Sequence, residues 1–160
     1  MCEQSKILIA EDETIVRLDL RETLERAGFR VVAEARDGAE AVALAREHAP
    51  DVAIIDVKMP HLDGIEAARR ILAERPIPIV MLTAYGYGDL IERALDTGVV
   101  AYLVKPFREA DLLRAVETAR GRGTAVDVDL ASADGALTWP LTFVRRPDGG
   151  VDVTLRERER

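Results

Sequence analysis

The chain has 160 residues, 48% hydrophobic and 32% charged, which fits one domain with a genuine core plus additional sequence. A net charge of −7 argues against a nucleic-acid surface, which would need clustered Lys and Arg. The single cysteine, Cys2, excludes an internal disulfide and a cysteine-based zinc site, and no apolar run approaches a membrane span or a signal sequence, so a cytoplasmic protein is expected.

Lys6-Ile-Leu-Ile-Ala10 reads as a buried strand that runs into three acids, Glu11, Asp12 and Glu13. Val16, Leu20, Leu24 and Ala27 then recur at helical spacing, and Gly28 supplies the stop. Residues 30–35 form a second strand, Asp37-Gly38 turns, and 39–49 form an alanine-rich helix closed by Pro50. The β-branched run from Val52 to Ile55 is a third strand, which carries Asp56 at its C-terminal end. Pro60 and Asp63-Gly64 make a turn, and Ile65, Ala68, Ile71 and Leu72 mark one face of the next helix. Residues 79–83 form a fourth strand ending in Thr83, and a shorter helix is expected over 89–97, ending at Gly98. A fifth strand, 101–104, meets Lys105-Pro106, and Leu112, Leu113, Val116 and Ala119 mark a last helix to about Arg120.

Apolar strands alternating with helices imply an α/β fold with a parallel sheet covered on both faces. Right-handed crossovers and small size favour five strands doubly wound in the order 2-1-3-4-5. Ligands of such sheets bind beyond the strands' carboxyl ends, where the first and third strands meet. There this sequence supplies Glu11 and Asp12, Asp56, Thr83 and Lys105, each from a different strand end. Carboxylates converging in one cleft need a cation, and hard oxygen ligands suit Mg²⁺. A carboxylate beside such a metal, faced by a hydroxyl and an ammonium, suits phosphoryl transfer onto Asp56. Alone, each residue has an ordinary use: Glu11 and Asp12 as helix N-caps, Lys105 as a solvated cation, Thr83 as a strand-end β-former. Together they point to chemistry.

The set resembles the CheY-like receiver domain of bacterial two-component response regulators over residues 5–120. Glu11-Asp12 is similar to the family's acidic pair, Asp56 to its phosphoacceptor, and Lys58-Met59-Pro60 with Asp63-Gly64 to the loop that follows. Thr83-Ala84 and Lys105-Pro106-Phe107 match the remaining signature. The resemblance implies a flavodoxin-like fold and a cis peptide between Lys105 and Pro106. It also implies Mg²⁺ held by Glu11 or Asp12, Asp56 and the backbone carbonyl of Lys58. A histidine kinase would be the phosphodonor, with Thr83 and Tyr102 as the switch pair. The output would be a changed protein partner or a phosphorylation-dependent homodimer, with no nucleic acid bound by the receiver itself and no membrane. Lys58 and Tyr85 occupy positions that tune phosphate lifetime in such proteins.

A narrower resemblance is to receivers fused to ANTAR domains, helical RNA-binding modules of transcription antitermination. Val16-Arg-Leu-Asp-Leu20, Leu82-Thr-Ala-Tyr85 with Asp89-Leu-Ile-Glu-Arg-Ala94, and Ala101-Tyr-Leu-Val-Lys-Pro-Phe107 carry it, and the pattern departs after Arg120. There a linker is expected over 121–136, followed by a β-hairpin tail within 137–160, with its turn at Pro147-Asp-Gly-Gly150. Alternatives remain open. An aspartate-nucleophile phosphatase would want an acid where Lys58 stands, and an FMN binder would want a phosphate cradle where Glu11-Asp12-Glu13 stands. A receiver used only as a phosphorylation-independent interaction module is the third.

Overall fold

The computed structural model describes residues 4–83, 99, 101–105, 107–120, 125–131, 138–145 and 151–155. Five strands form one parallel sheet: β1 (Lys6–Ala10), β2 (Arg30–Ala35), β3 (Val52–Asp56), β4 (Ile79–Thr83) and β5 (Ala101–Val104), in the order β2-β1-β3-β4-β5. That is the doubly wound order expected from the sequence. Among the described residues four helices flank it: α1 (Thr14–Arg26), α2 (Gly38–His48), α3 (Gly64–Glu74) and α4 (Glu109–Arg120). The helix expected over 89–97, with Ala84 and Tyr85, lies outside the described residues.

Every residue of β3 and β4 is buried, because the sheet is covered on both faces and successive side chains alternate between them. Leu8, Ala53, Ile55, Ile79 and Met81 face one side, against Ala41 and Ala45 of α2 and Ile65, Ala68 and Ile71 of α3. Ile7, Ile9, Val52, Ile54, Val80 and Leu82 face the other, against Leu20 and Leu24 of α1 and Leu112, Ala115 and Val116 of α4. One strand thus feeds two cores, which fixes its register: a one-residue slip would exchange the faces. In that register Ala10 lies beside Ile55 and Asp56 beside Leu82, so β1, β3 and β4 finish at the same level.

Beyond α4 stands a separate three-stranded antiparallel sheet: β6 (Ala125–Ala131), β7 (Thr138–Arg145) and β8 (Val151–Leu155). β7 and β8 pair from Leu141↔Leu155 to Arg145↔Val151. Pro147 to Gly150, and the charged end after Leu155, lie outside the described residues. The structure differs from the sequence reading at β6, which occupies part of the expected linker. Val126, Val128 and Leu130 alternate with Asp127 and Asp129, a strand period that the acid content masks. β6 lies alongside β5.

Candidate functional site

Four of the five strand ends deliver a side chain because the apolar run stops where the sheet stops. Glu11 directly follows β1, Asp56 closes β3, Thr83 closes β4 and Lys105 directly follows β5. Glu11 is fully buried, Asp56 and Thr83 are buried, and Asp12 is exposed at the mouth. One carboxylate oxygen from each of Glu11, Asp12 and Asp56 lies within 4.8 Å of the others. Lys105 reaches in from the side, its Nζ 2.9 Å from both Glu11 Oε2 and Asp56 Oδ2.

The loops are shaped around these groups. Asp56 Oδ1 accepts the Lys58 N–H at 3.2 Å, and Val57 N–H donates to Leu82 O at 2.8 Å, prolonging the β3–β4 ladder by a residue. Gly64 N–H donates to Val57 O at 2.8 Å and folds the loop back under the aspartate. A Cβ on Gly64 would stand 2.0 Å from Asp56 O, so only glycine fits. Lys105 N–H donates to Thr83 O at 2.7 Å, which fixes where the lysine stem leaves β5.

The electrostatics follow from burial. Burial, joined by the neighbouring Asp56, pushes the Glu11 carboxyl up from 4.5 to about 7, against the lowering pull of Lys105. Burial works against the Lys105 ammonium as well, but its hydrogen bonds to Glu11 and Asp56 outweigh that and raise its pKa. The pocket sets three carboxylates against one ammonium, and its clustered ligand atoms are oxygens. That combination fits a hard divalent cation.

Of the residues singled out in the sequence, Glu11, Asp12, Asp56 and Lys105 converge. Thr83 closes β4 next to them. Tyr102 stands on β5 opposite Met81 of β4; its side chain, and Pro106 with the expected cis peptide, lie outside the described residues. Neither Glu11 nor Asp12 is the N-cap of α1, a position taken by Glu13, although Glu11 Oε1 accepts the Glu13 N–H at 3.3 Å. Sequence reasoning missed Arg17, whose Nη1 donates to Glu11 O at 2.8 Å. It stands six residues on, among the polar positions of α1, with no local signal.

Residues 7–117 match the family described as the response regulator receiver domain. The chain is 55% identical to the transcriptional regulatory protein PdtaR of Mycobacterium tuberculosis over 135 residues, covering 82% of this chain and 66% of that protein. It thus spans just under two thirds of that relative. It is 37% identical to the chemotaxis protein CheY of Bacillus subtilis over 112 residues, 69% of this chain and 93% of CheY. A two-component response regulator of the LuxR family from Aurantimonas superposes with a TM-score of 0.72 at 33% identity, covering 75% of this chain and 87% of that one.

Proposed function

Because the chain belongs to the response regulator receiver family, we propose that it works as a phosphoacceptor in a two-component relay, with Asp56 taking the phosphoryl group from a histidine kinase. The observation that carries this reading is the bridge from Lys105 Nζ to both Asp56 and the buried Glu11, 2.9 Å each, with the Asp12 carboxylate alongside. Receiver domains bind Mg²⁺ in an acidic pocket. Here Glu11, Asp12, Asp56 and the backbone carbonyl of Lys58 would hold it, and when bound it would neutralise charge on the transferring phosphoryl group.

The rest falls to the chain's own residues. An Asp56 carboxylate oxygen attacks phosphorus in line with the bond to the donor imidazole nitrogen. That P–N bond breaks, its electron pair returns to the ring, and the ring nitrogen takes up a proton from solvent. Lys105 exchanges its bridge for the new phosphoryl oxygens, and the Thr83 hydroxyl donates to one of them. The two residues would thereby bias the β4–β5 region, including Tyr102, between two arrangements. The donor would approach over α1, the helix that follows the Glu11-Asp12 turn, where Ile15 and Leu18, one turn apart, are 82% and 50% exposed.

Residues 5–120 form the receiver on this reading, with β6–β8 appended to it. The likeness to PdtaR, a transcriptional regulatory protein, favours transcription as the regulated process. An ANTAR-type antitermination regulator acting through a partner or a diverged output is the second reading. Intact mass after incubation with Mg²⁺ and acetyl phosphate tests the first. A single phosphoryl adduct is expected on wild type and none on Asp56→Asn. No adduct on folded wild type would overturn Asp56 as the acceptor and favour a phosphorylation-independent interaction module.

A further inference from the structure

The two acids of the β1–α1 turn are held in different ways. Glu11 donates its N–H to Ala35 O at 3.0 Å, accepts the Glu13 N–H on Oε1, and meets Lys105 on Oε2. The Asp12 carboxylate, among the described residues, takes no hydrogen bond and no ion pair, yet it stands in the carboxylate cluster. Its position is therefore inherited from its backbone.

That backbone is held by a side chain outside the cluster. Arg17 Nη1 donates to the main-chain oxygen of Glu11 at 2.8 Å. The Arg17 side chain is only 13% exposed, and its Nε lies 3.9 Å from Glu34 Oε1 at the end of β2. Arg21 Nη1 takes the other oxygen of the same carboxylate at 2.9 Å, so Glu34 is tethered from α1 twice. The Glu11 carbonyl and the Asp12 N–H belong to one planar peptide unit. Fixing that oxygen fixes the direction in which the Asp12 Cα leaves the turn, and with it the reach of its carboxylate.

We propose that Arg17 is a positioning residue for divalent-cation binding: by holding the Glu11 carbonyl it orients the Glu11–Asp12 peptide and aims the Asp12 carboxylate at the cluster. This rests on the reading that the cluster holds Mg²⁺. A small cation that demands near-octahedral oxygens gains most from ligands set in place beforehand, and outer partners of metal ligands typically change affinity by about 10–100-fold. A purely structural Arg17, fastening α1 to β2, would lower the melting temperature and leave cation affinity alone.

The full chain is titrated with Mn²⁺, free ion being read by electron paramagnetic resonance, and with competing Mg²⁺, well below the melting temperature. Arg17→Met is expected to weaken both ions about tenfold. Arg17→Lys should recover part of the loss, since an ammonium can still donate to the carbonyl, and Glu34→Gln should fall between wild type and Arg17→Met. The Mg²⁺ needed for half-maximal phosphorylation by acetyl phosphate should rise in the same order. Wild-type affinity in folded Arg17→Met would overturn the proposal. If that variant does not fold, wild-type affinity in both Arg17→Lys and Glu34→Gln overturns it instead. Wild type that binds neither ion would overturn the metal reading itself, and the role of Arg17 with it.

Discussion

Two connections meet at the mouth of the site, and they are built on different principles. The turn after β1 is short, residues 11–13, and besides the backbone bond from Glu11 N–H to Ala35 O it is held by side chains: Lys105 on Glu11 Oε2 and Arg17 on Glu11 O. The loop after β3 is longer, residues 57–63, and is held mainly by backbone, with the Asp56 side chain adding one bond to the Lys58 N–H. Val57 pairs with Leu82 and Gly64, and Leu62 N–H donates to Pro60 O at 2.8 Å, while Met59 is buried in the core. A Cβ on Gly38 would stand 2.2 Å from Leu62 O, so α2 presses on the loop as closely as α3 does. The first connection can be adjusted by exchanging a side chain. The second has no room for a methyl group.

The sharpest break of that contrast is Gly64→Ala. The new Cβ meets Asp56 O at 2.0 Å, Asp56 C at 2.7 Å and Val57 Cα at 2.9 Å, all backbone that no rotamer change can clear. A loss of about 3 kcal/mol is expected in urea titrations, with slower phosphoryl uptake because Asp56 itself must shift. A midpoint within error of wild type would show that the loop yields, and the contrast would fail.

On the short turn the corresponding change is Lys105→Met, which removes the cation between two carboxylates and leaves the backbone path alone. It should cost about 2 kcal/mol at pH 8 and clearly less at pH 5. The sign follows from Glu11. Its carboxyl ionises near 4.5 when unfolded and near 7 when folded, since burial disfavours the charge. Between those values the folded form keeps a proton that the unfolded form has released, so stability falls as pH rises through the window and levels off above it. Without Lys105 the fall should extend to higher pH, since the ammonium no longer holds the Glu11 pKa down, and Glu11→Gln should flatten it. Parallel stability–pH curves for wild type and Glu11→Gln would remove Glu11 as the source.

The same contrast explains what could be read from the sequence. The sheet was legible because β1, β3 and β4 are short apolar runs bounded by turn residues, a pattern that parallel strands buried on both faces require. Glu11, Asp12, Asp56, Thr83 and Lys105 stood out because each stands at the end of such a run or just past it. Asp37 and Asp63 read as turn residues before glycine; they also cap α2 and α3, accepting N–H bonds from Glu40 and Glu66 at 2.8 Å. What stayed hidden depends on neighbours distant in sequence. Arg17 meets Glu34 only once β2 lies beside β1, and the need for Gly64 appears only when the loop closes on Asp56 O. β6 stayed hidden for a different reason, since Asp127 and Asp129 made a strand look like a linker.

The smallest expected effect lies within the backbone-held loop. His61 has φ of 69° at the centre of the tight turn that Leu62 N–H closes onto Pro60 O, a strained conformation that costs a side chain with a Cβ about 1–3 kcal/mol. The residue is exposed, so nothing in the core repays that strain. His61→Gly should raise stability by about 0.5 kcal/mol, the strain relieved in the folded loop exceeding the extra freedom that glycine gives the unfolded chain. A rise in the urea midpoint with an unchanged slope is the expected result. No gain, or a loss, would mean that the imidazole makes a compensating contact, and the loop would then depend on a side chain after all, as the turn after β1 does.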